Sequence, residues 1–179
     1  MADAAMSGGM AIPVPERKSL WQAFVAAGSL VRAIVFARVA FGAWFLYHEV
    51  YYEKISHWTS QTLPTSWNNS IKNPDVAHWY KSILTKLLPH AAGFRVFLTS
   101  WEIIFGICLV FGLGIRTVTI LQMFANLNYI LSKSYLSGGA NLDRLALIVL
   151  ITLCVASAGR YFGLDGWLKE RYPRTLAWL

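Results

Sequence analysis

The feature that most constrains this chain of 179 residues is a series of four apolar segments, each about the length of a membrane-spanning helix. An α-helix needs about 20 residues to cross the ~30 Å hydrocarbon core of a bilayer. The predicted spans cover about residues 31–52, 93–113, 117–136 and 141–159. Polar or charged residues interrupt each segment, so the segments can span only if packed helices hide those side chains from lipid.

Composition favours a membrane protein over a soluble one. Only 14% of the residues are charged and 56% are hydrophobic, whereas soluble domains average about 25% charged and about 45–50% apolar. These values exclude a disordered chain, a coiled coil and a secreted disulfide scaffold. The alternative is a soluble helical protein with a large core, but its helices would need polar outer faces that the last three segments lack. The net charge of +7 comes from basic residues scattered between the apolar segments, which favours lipid headgroups over nucleic acid as partners.

The connections predict how the segments pack. Residues 112–116 and 137–140 are short connections, which require antiparallel neighbours. About forty residues separate the first two segments, and Asn73 followed by Pro74 predicts a helix start in this loop, with Asn73 as the cap. Apolar residues at helical spacing then predict an amphipathic helix at about 74–88, ended by Pro89. We therefore predict an all-α integral membrane protein, an antiparallel four-helix transmembrane bundle with an amphipathic interfacial helix between spans one and two.

The chain divides into three parts on this interpretation. Residues 1–18 form a disordered N-terminal tail, residues 19–168 the four-helix transmembrane domain, and residues 169–179 a short basic C-terminal tail. Basic residues near both ends predict that both termini are cytoplasmic, in a multi-pass protein of the cell's inner (plasma) membrane. The long first loop, which carries Trp58 and Trp67, then lies outside.

Polar residues within the spans indicate where a functional site lies, because ionisable groups in a membrane usually face the bundle interior or a pathway. Counting depth at about 1.5 Å per residue separates two sets. The mid-membrane set contains Arg38, Glu102, Gln122 and Asn126, and the outer set contains His48, Glu49, Arg95, Asp143 and Arg144. One interpretation is structural: Arg38 and Glu102 form a buried pair, and the amides make hydrogen bonds between helices.

The other interpretation is a small-molecule site. A quinone ring needs one or two hydrogen-bonding groups in an apolar, aromatic pocket reachable from lipid. The candidate quinone-binding residues are Trp44, Glu49, Trp101 and Asn126, the candidate anion-binding residues are Arg95, Arg144 and His48, and the candidate catalytic residues are Glu102, Arg38 and His48. On its own, His48 is more typical of an interface residue than of a base. The sequence contains no metal-binding spacing of His or Cys and no nucleotide-binding loop, so we expect neither a metal nor a nucleotide.

Three motifs resemble the DoxX/DoxD family of small four-span membrane proteins. Residues 38–46 carry an R-x-x-x-G-x-x-F-L pattern, residues 102–116 read E-x-x-x-G-x-x-L-x-x-G-x-G-x-R, and residues 158–168 read AGRYFGLDGWL. The match covers about residues 30–168. The chain departs from the pattern at His48 and Glu49, where a small residue is expected.

The resemblance implies a function. Some members of this family resemble the large subunit of thiosulfate:quinone oxidoreductase, which forms tetrathionate, passes the electrons to membrane quinone and works beside a smaller subunit; the long first loop favours this branch. We therefore expect a membrane subunit of a quinone-linked oxidoreductase, with quinone as the acceptor and a second small membrane subunit or larger complex as the partner. The alternative is a non-catalytic accessory subunit of a larger membrane redox complex. A small solute carrier is disfavoured because no inverted repeat is evident.

Overall fold

The structure, a computed structural model, describes residues 19–52, 62–133 and 140–172 and is helical, with no strand in those ranges. The all-α prediction is confirmed. The helices are α1 (Leu20–Ala26), α2 (Ser29–Leu46), α3 (Thr62–Lys72), α4 (His78–Leu87), α5 (Ala91–Phe111), α6 (Ile115–Ser132), α7 (Asn141–Val155) and α8 (Leu164–Arg171). A π-helical turn (Tyr47–Tyr52) extends α2, and 3-10 turns lie at Leu88–His90 and Ala158–Arg160.

Helices α2, α5, α6 and α7 coincide closely with the four predicted spans. Two helical runs in the described residues, Ser29–Tyr51 and His78–Phe111, are long and apolar enough to cross a membrane by length and composition. The N-terminal tail, the connection at 134–139 and residues 173–179 lie outside the described residues.

Close glycine contacts bring α2 and α5 together as antiparallel neighbours. A Cβ built on Gly42 would lie 2.8 Å from the Leu109 Cβ and 2.9 Å from the Gly106 carbonyl oxygen. Helices α6 and α7 are also antiparallel, since Arg116 contacts Ser157 at one end and Asn126 contacts Asp143 towards the other. Between these pairs lies an apolar core of Phe45, Phe105, Leu109, Ile115, Leu150, Leu153 and Ala158.

The loop between α2 and α5 forms a second layer. It contains α3, which was not predicted from the sequence, as well as α4. A separate apolar cluster of Trp67, Val76, Tyr80, Leu84 and Ala91 holds this layer together and includes Leu131 of α6 at its edge. The Tyr80 hydroxyl donates a hydrogen bond to the Asn128 carbonyl oxygen at 3.1 Å. The layer therefore covers the end of the bundle where α5 begins and α6 ends.

The prediction that Asn73 caps the amphipathic helix is wrong. The Asn73 side chain accepts a hydrogen bond from the Asp75 backbone N–H at 3.0 Å, and α4 begins at His78 after Ala77. Asn followed by Pro is favoured in turns for the same local hydrogen-bonding reasons that favour it at helix starts. Here the signal marks a turn between α3 and α4.

Candidate functional site

A polar cavity of about 360 Å³ lies at the end of the bundle beneath α3, which we call the cavity end. Its volume falls in the range typical of small-molecule sites. The polar lining comprises His48, Glu49, Ser66, Arg95, Glu102, Asn126, Tyr129, Ser132, Lys133 and Asp143, and the apolar lining comprises Trp44, Phe45, Leu63, Trp67, Leu98, Leu142 and Ala146. The cavity is thus built from helices distant in sequence.

Two buried carboxyl groups meet at the cavity. Glu49, on the π-helical turn, and Glu102, on α5, are 3% and 7% exposed, and their side chains are close enough to interact electrostatically. Two carboxyl groups held together in a buried site favour a state in which one of them is protonated, because like charges repel where water is excluded. The Tyr129 hydroxyl donates a hydrogen bond to Glu102 Oε1 at 2.8 Å.

A histidine links the carboxyl pair to the surface. The His48 Nδ1 lies 3.1 Å from Glu49 Oε1, and its side chain is 37% exposed. The π-helical turn places these two consecutive residues beside one cavity. Such turns are frequent at functional sites because the inserted residue changes the direction of the side chains.

The cationic groups of the cavity lie near the carboxylates. Lys133 donates to Asp143 Oδ2 at 2.7 Å, and Arg95 acts electrostatically on both Glu102 and Tyr129. The Asn126 amide donates to the Asp143 carbonyl oxygen at 3.2 Å, which fixes α6 to α7 beside the cavity.

Aromatic rings form the apolar wall. Trp44 stacks on Phe41 with ring centroids 5.8 Å apart and lies 5.6 Å from the His48 ring. Trp67 of α3 contributes a second indole. The cavity therefore combines flat apolar surfaces with hydrogen-bonding groups.

The structure brings together six of the residues singled out from the sequence: Trp44, His48, Glu49, Arg95, Glu102 and Asn126. It does not bring Arg38, Trp101 or Arg144 into the cavity lining, and those three assignments need correction.

Arg38 lies at the opposite end of the bundle, and its predicted pairing with Glu102 is wrong. Its guanidinium donates to the carbonyl oxygens of Ala158 at 2.8 Å, Tyr161 at 3.0 Å and Phe162 at 3.2 Å. It packs on Gly112, ten residues or about 15 Å along α5 from Glu102. We call this arrangement the clasp, because it fixes the segment after α7 to α2.

Asp165 completes the clasp. Its two carboxylate oxygens accept hydrogen bonds from the Gly114 N–H at 2.6 Å and the Ile115 N–H at 3.0 Å, capping the start of α6. Gly112 and Gly114 both have positive φ, at 69° and 61°, which suits glycine in this tight turn. The clasp explains Arg38 as a structural residue.

Trp101 and Arg144 also have other partners. The Trp101 indole donates to Gln122 Oε1 at 2.7 Å, and its ring packs against the apolar core. Arg144 donates to Asn141 Oδ1 at 3.0 Å. The amides of Gln122 and Asn126 thus join helices, the role that the structural interpretation gives them.

Asp143, which the depth count places in the outer set, also lines the cavity, whereas the sequence-based site missed Tyr129, Lys133 and Trp67. Tyr129 lies seven residues after Gln122 on one face of α6, so its helical spacing was a usable signal. Trp67 gave no comparable signal, because it lies on the unpredicted α3.

Comparisons with models of protein families, with curated proteins and with solved structures found no match. Within the described ranges, no group of three or more His, Cys, Asp or Glu side chains is placed to hold a metal ion.

Proposed function

We propose that this chain is a four-span protein of the plasma membrane and the membrane subunit of a quinone-linked oxidoreductase. Large apolar side chains face outwards on all four long helices, among them Phe36, Phe97, Phe124 and Ile148, which are 61–74% exposed. In the most apolar 18-residue stretch of each candidate span, only 17% and 28% is buried. The core helices of a soluble protein are mostly buried. Lipid is the environment that suits such faces.

The four spans are α2, α5, α6 and α7. At 1.5 Å per residue, α2 and α6 are each about 27 Å long and α5 about 31 Å; α7 is shorter. Basic residues near both termini favour a cytoplasmic clasp end and an outward-facing cavity end. The polar lining of the cavity then faces inwards, where charged groups are tolerated.

The observation that carries the proposal is the buried Glu49–Glu102 pair beside an aromatic wall. A quinone head group offers two carbonyl oxygens that accept hydrogen bonds and a flat ring that packs on indole. On this proposal, protonated Glu102 donates a hydrogen bond to one quinone carbonyl oxygen, and the Trp44 indole packs on the quinone ring. Trp44 lies on α2, where its partial exposure offers quinone a route from lipid.

The electron donor of the proposal is thiosulfate, on the resemblance to the DoxX/DoxD family. Two thiosulfate ions joined as tetrathionate release two electrons, and a quinone takes up two electrons and two protons to become a quinol. The cationic groups Arg95 and Lys133, with His48, supply positive charge where an anion approaches from outside. A smaller partner subunit completes the enzyme on this proposal.

The second candidate is a non-catalytic accessory subunit. The hydrogen bonds from Tyr129 to Glu102 and from Trp101 to Gln122 favour it, because each joins α5 directly to α6. On this candidate the polar residues hold the bundle together, and the partner complex carries the redox chemistry.

Quinone binding tests the proposal. We expect decylubiquinone to quench the tryptophan fluorescence of the purified protein in lipid nanodiscs. Glu102→Leu removes the proposed hydrogen-bond donor and should weaken binding about tenfold, equivalent to losing one hydrogen bond of about 1.4 kcal/mol. The control is Glu170→Gln, which alters an exposed carboxyl group on α8. Absence of saturable quenching in the native protein would contradict the proposal.

Turnover separates the two candidates. Thiosulfate-dependent quinol formation, by the chain alone or with a co-purified small subunit, supports the oxidoreductase. Quinone binding without turnover in either preparation removes the thiosulfate activity and leaves the accessory subunit.

A further inference from the structure

We infer that His48, Glu49 and Glu102 form a proton path that supplies the cavity from the aqueous surface at the cavity end. This inference rests on the proposed quinone site and deepens it, since it assigns the source of the protons. Nothing in the family resemblance predicts the path, because it begins at the two residues that depart from the family pattern.

The first step of the path is from His48 to Glu49. His48 is in contact with solvent over about a third of its side chain, whereas the Glu49 side chain is 4% exposed. Their 3.1 Å contact joins a partly exposed group to a buried one. Histidine is suited to this position because one ring nitrogen can accept a proton while the other donates one.

The second step is from Glu49 to Glu102. The two buried carboxyl groups lie beside the same cavity and bring the π-helical turn next to α5. Both residues line the cavity, so the proton reaches a ligand oxygen directly from Glu102.

Tyr129 and Arg95 stabilise the charge that the transfer leaves behind. When Glu102 gives up its proton, its Oε1 keeps the hydrogen bond from the Tyr129 hydroxyl. Arg95 supplies positive charge nearby. Tyr129 is therefore a positioning residue, which holds Glu102 and favours its ionised form.

Reduction of one quinone to a quinol takes up two protons and two electrons. For each proton, the Glu102 O–H bond breaks as an O–H bond forms on the quinone oxygen, Glu49 reprotonates Glu102, and His48 reprotonates Glu49 from water. Two such cycles accompany the two electrons from the donor, which give the quinol.

The other charged groups around the path come from three elements. They are Arg95 of α5, Lys133 at the end of α6 and Asp143 of α7, and α3 contributes only the uncharged Ser66 and Trp67 among its polar and aromatic lining residues. Lys133 and Asp143 compensate each other through their ion pair. Among the three residues of the path, His48 is the most exposed.

Infrared difference spectroscopy tests the path. Decylubiquinone bound to the protein in nanodiscs is reduced at an electrode, which supplies the electrons in place of thiosulfate. We expect a protonated-carboxyl band that changes on reduction and shifts in D₂O, is absent in Glu102→Gln and is altered in Glu49→Gln. His48→Gln should slow quinol formation about tenfold and flatten its pH profile, with the quinone Kd unchanged within twofold.

Controls distinguish the path from the quinone site. Glu170→Gln should leave the carboxyl band and the rate as in the native protein. Normal quinone binding without a carboxyl change, or a His48→Gln variant with native rate and pH profile, overturns the path and leaves the proposed function standing. Failure of the native protein to bind quinone overturns the proposed function itself. Because His48 is partly exposed, its variant does not depend on repacking a buried site.

Discussion

Arg38 and Glu102 are both buried ionisable residues, but their polar atoms interact with different kinds of partner. Glu102 accepts a hydrogen bond from the Tyr129 side chain and lies beside Glu49 at the cavity. Arg38 donates to three backbone carbonyl oxygens more than 100 positions later in the chain. Every residue has a backbone carbonyl group, so the sequence cannot show which carbonyl oxygens accept hydrogen bonds from Arg38. The sequence instead suggests an acidic side chain, Glu102, as its partner, and that prediction is wrong.

Replacing Arg38 with Met should destabilise the fold without altering the cavity. One buried and two partly buried carbonyl oxygens lose their donors, which should lower the free energy of unfolding by about 3 kcal/mol. Thermal unfolding in detergent measures the loss. The matched control is Arg32→Met, which removes an exposed arginine from the same helix and should change stability by less than about 0.5 kcal/mol. Equal stability of the two variants would show that the clasp does not stabilise the bundle.

At the scale of elements, the contact between α2 and α5 depends on Gly42 and Gly106, where the two helices approach closely. Gly42→Ala places a methyl group against the backbone of α5 and should lower the free energy of unfolding by about 2 kcal/mol. Gly93→Ala on α5 meets no atom within 4 Å, so it should be neutral or stabilise by up to about 1 kcal/mol. Chemical unfolding of both variants measures the difference. A Gly42→Ala variant as stable as Gly93→Ala would contradict the close packing.

The long helices could be predicted from the sequence because their apolar runs are long, whereas the layer above them could be predicted only in part. Helix α3 contains Pro64 and Asn68, which weaken a helix signal, although proline is tolerated in a first turn. It is held by tertiary contacts of Trp67. The π-helical turn has no recognisable pattern of its own.

The sequence predicted the residues of the site whose position depends on depth along the predicted spans. Counting residues along the spans places His48, Glu49 and Arg95 at one end, and all three line the cavity. The count cannot give direction around a helix accurately enough to show that Trp101 faces Gln122. Nor can it place Asp165, whose capping role depends on the turn between α5 and α6.

At the scale of the whole molecule, the clasp and the cavity lie at opposite ends of the four long helices. On the proposed topology, the clasp faces the cytoplasm and the cavity faces outwards. Both the route of the anion and the source of the protons depend on this orientation, so the number of membrane crossings is the central claim.

Labelling of single cysteines with a membrane-impermeant maleimide tests that claim most directly, in a background with Cys108 and Cys154 changed to Ala. We predict that Ser66→Cys on α3 and Asn141→Cys at the start of α7 are labelled in intact cells. Leu113→Cys between α5 and α6 and Glu170→Cys on α8 should be labelled only after permeabilisation. If Asn141→Cys is labelled from the same side as Glu170→Cys and the opposite side from Ser66→Cys, α6 and α7 do not cross the membrane and the account is wrong.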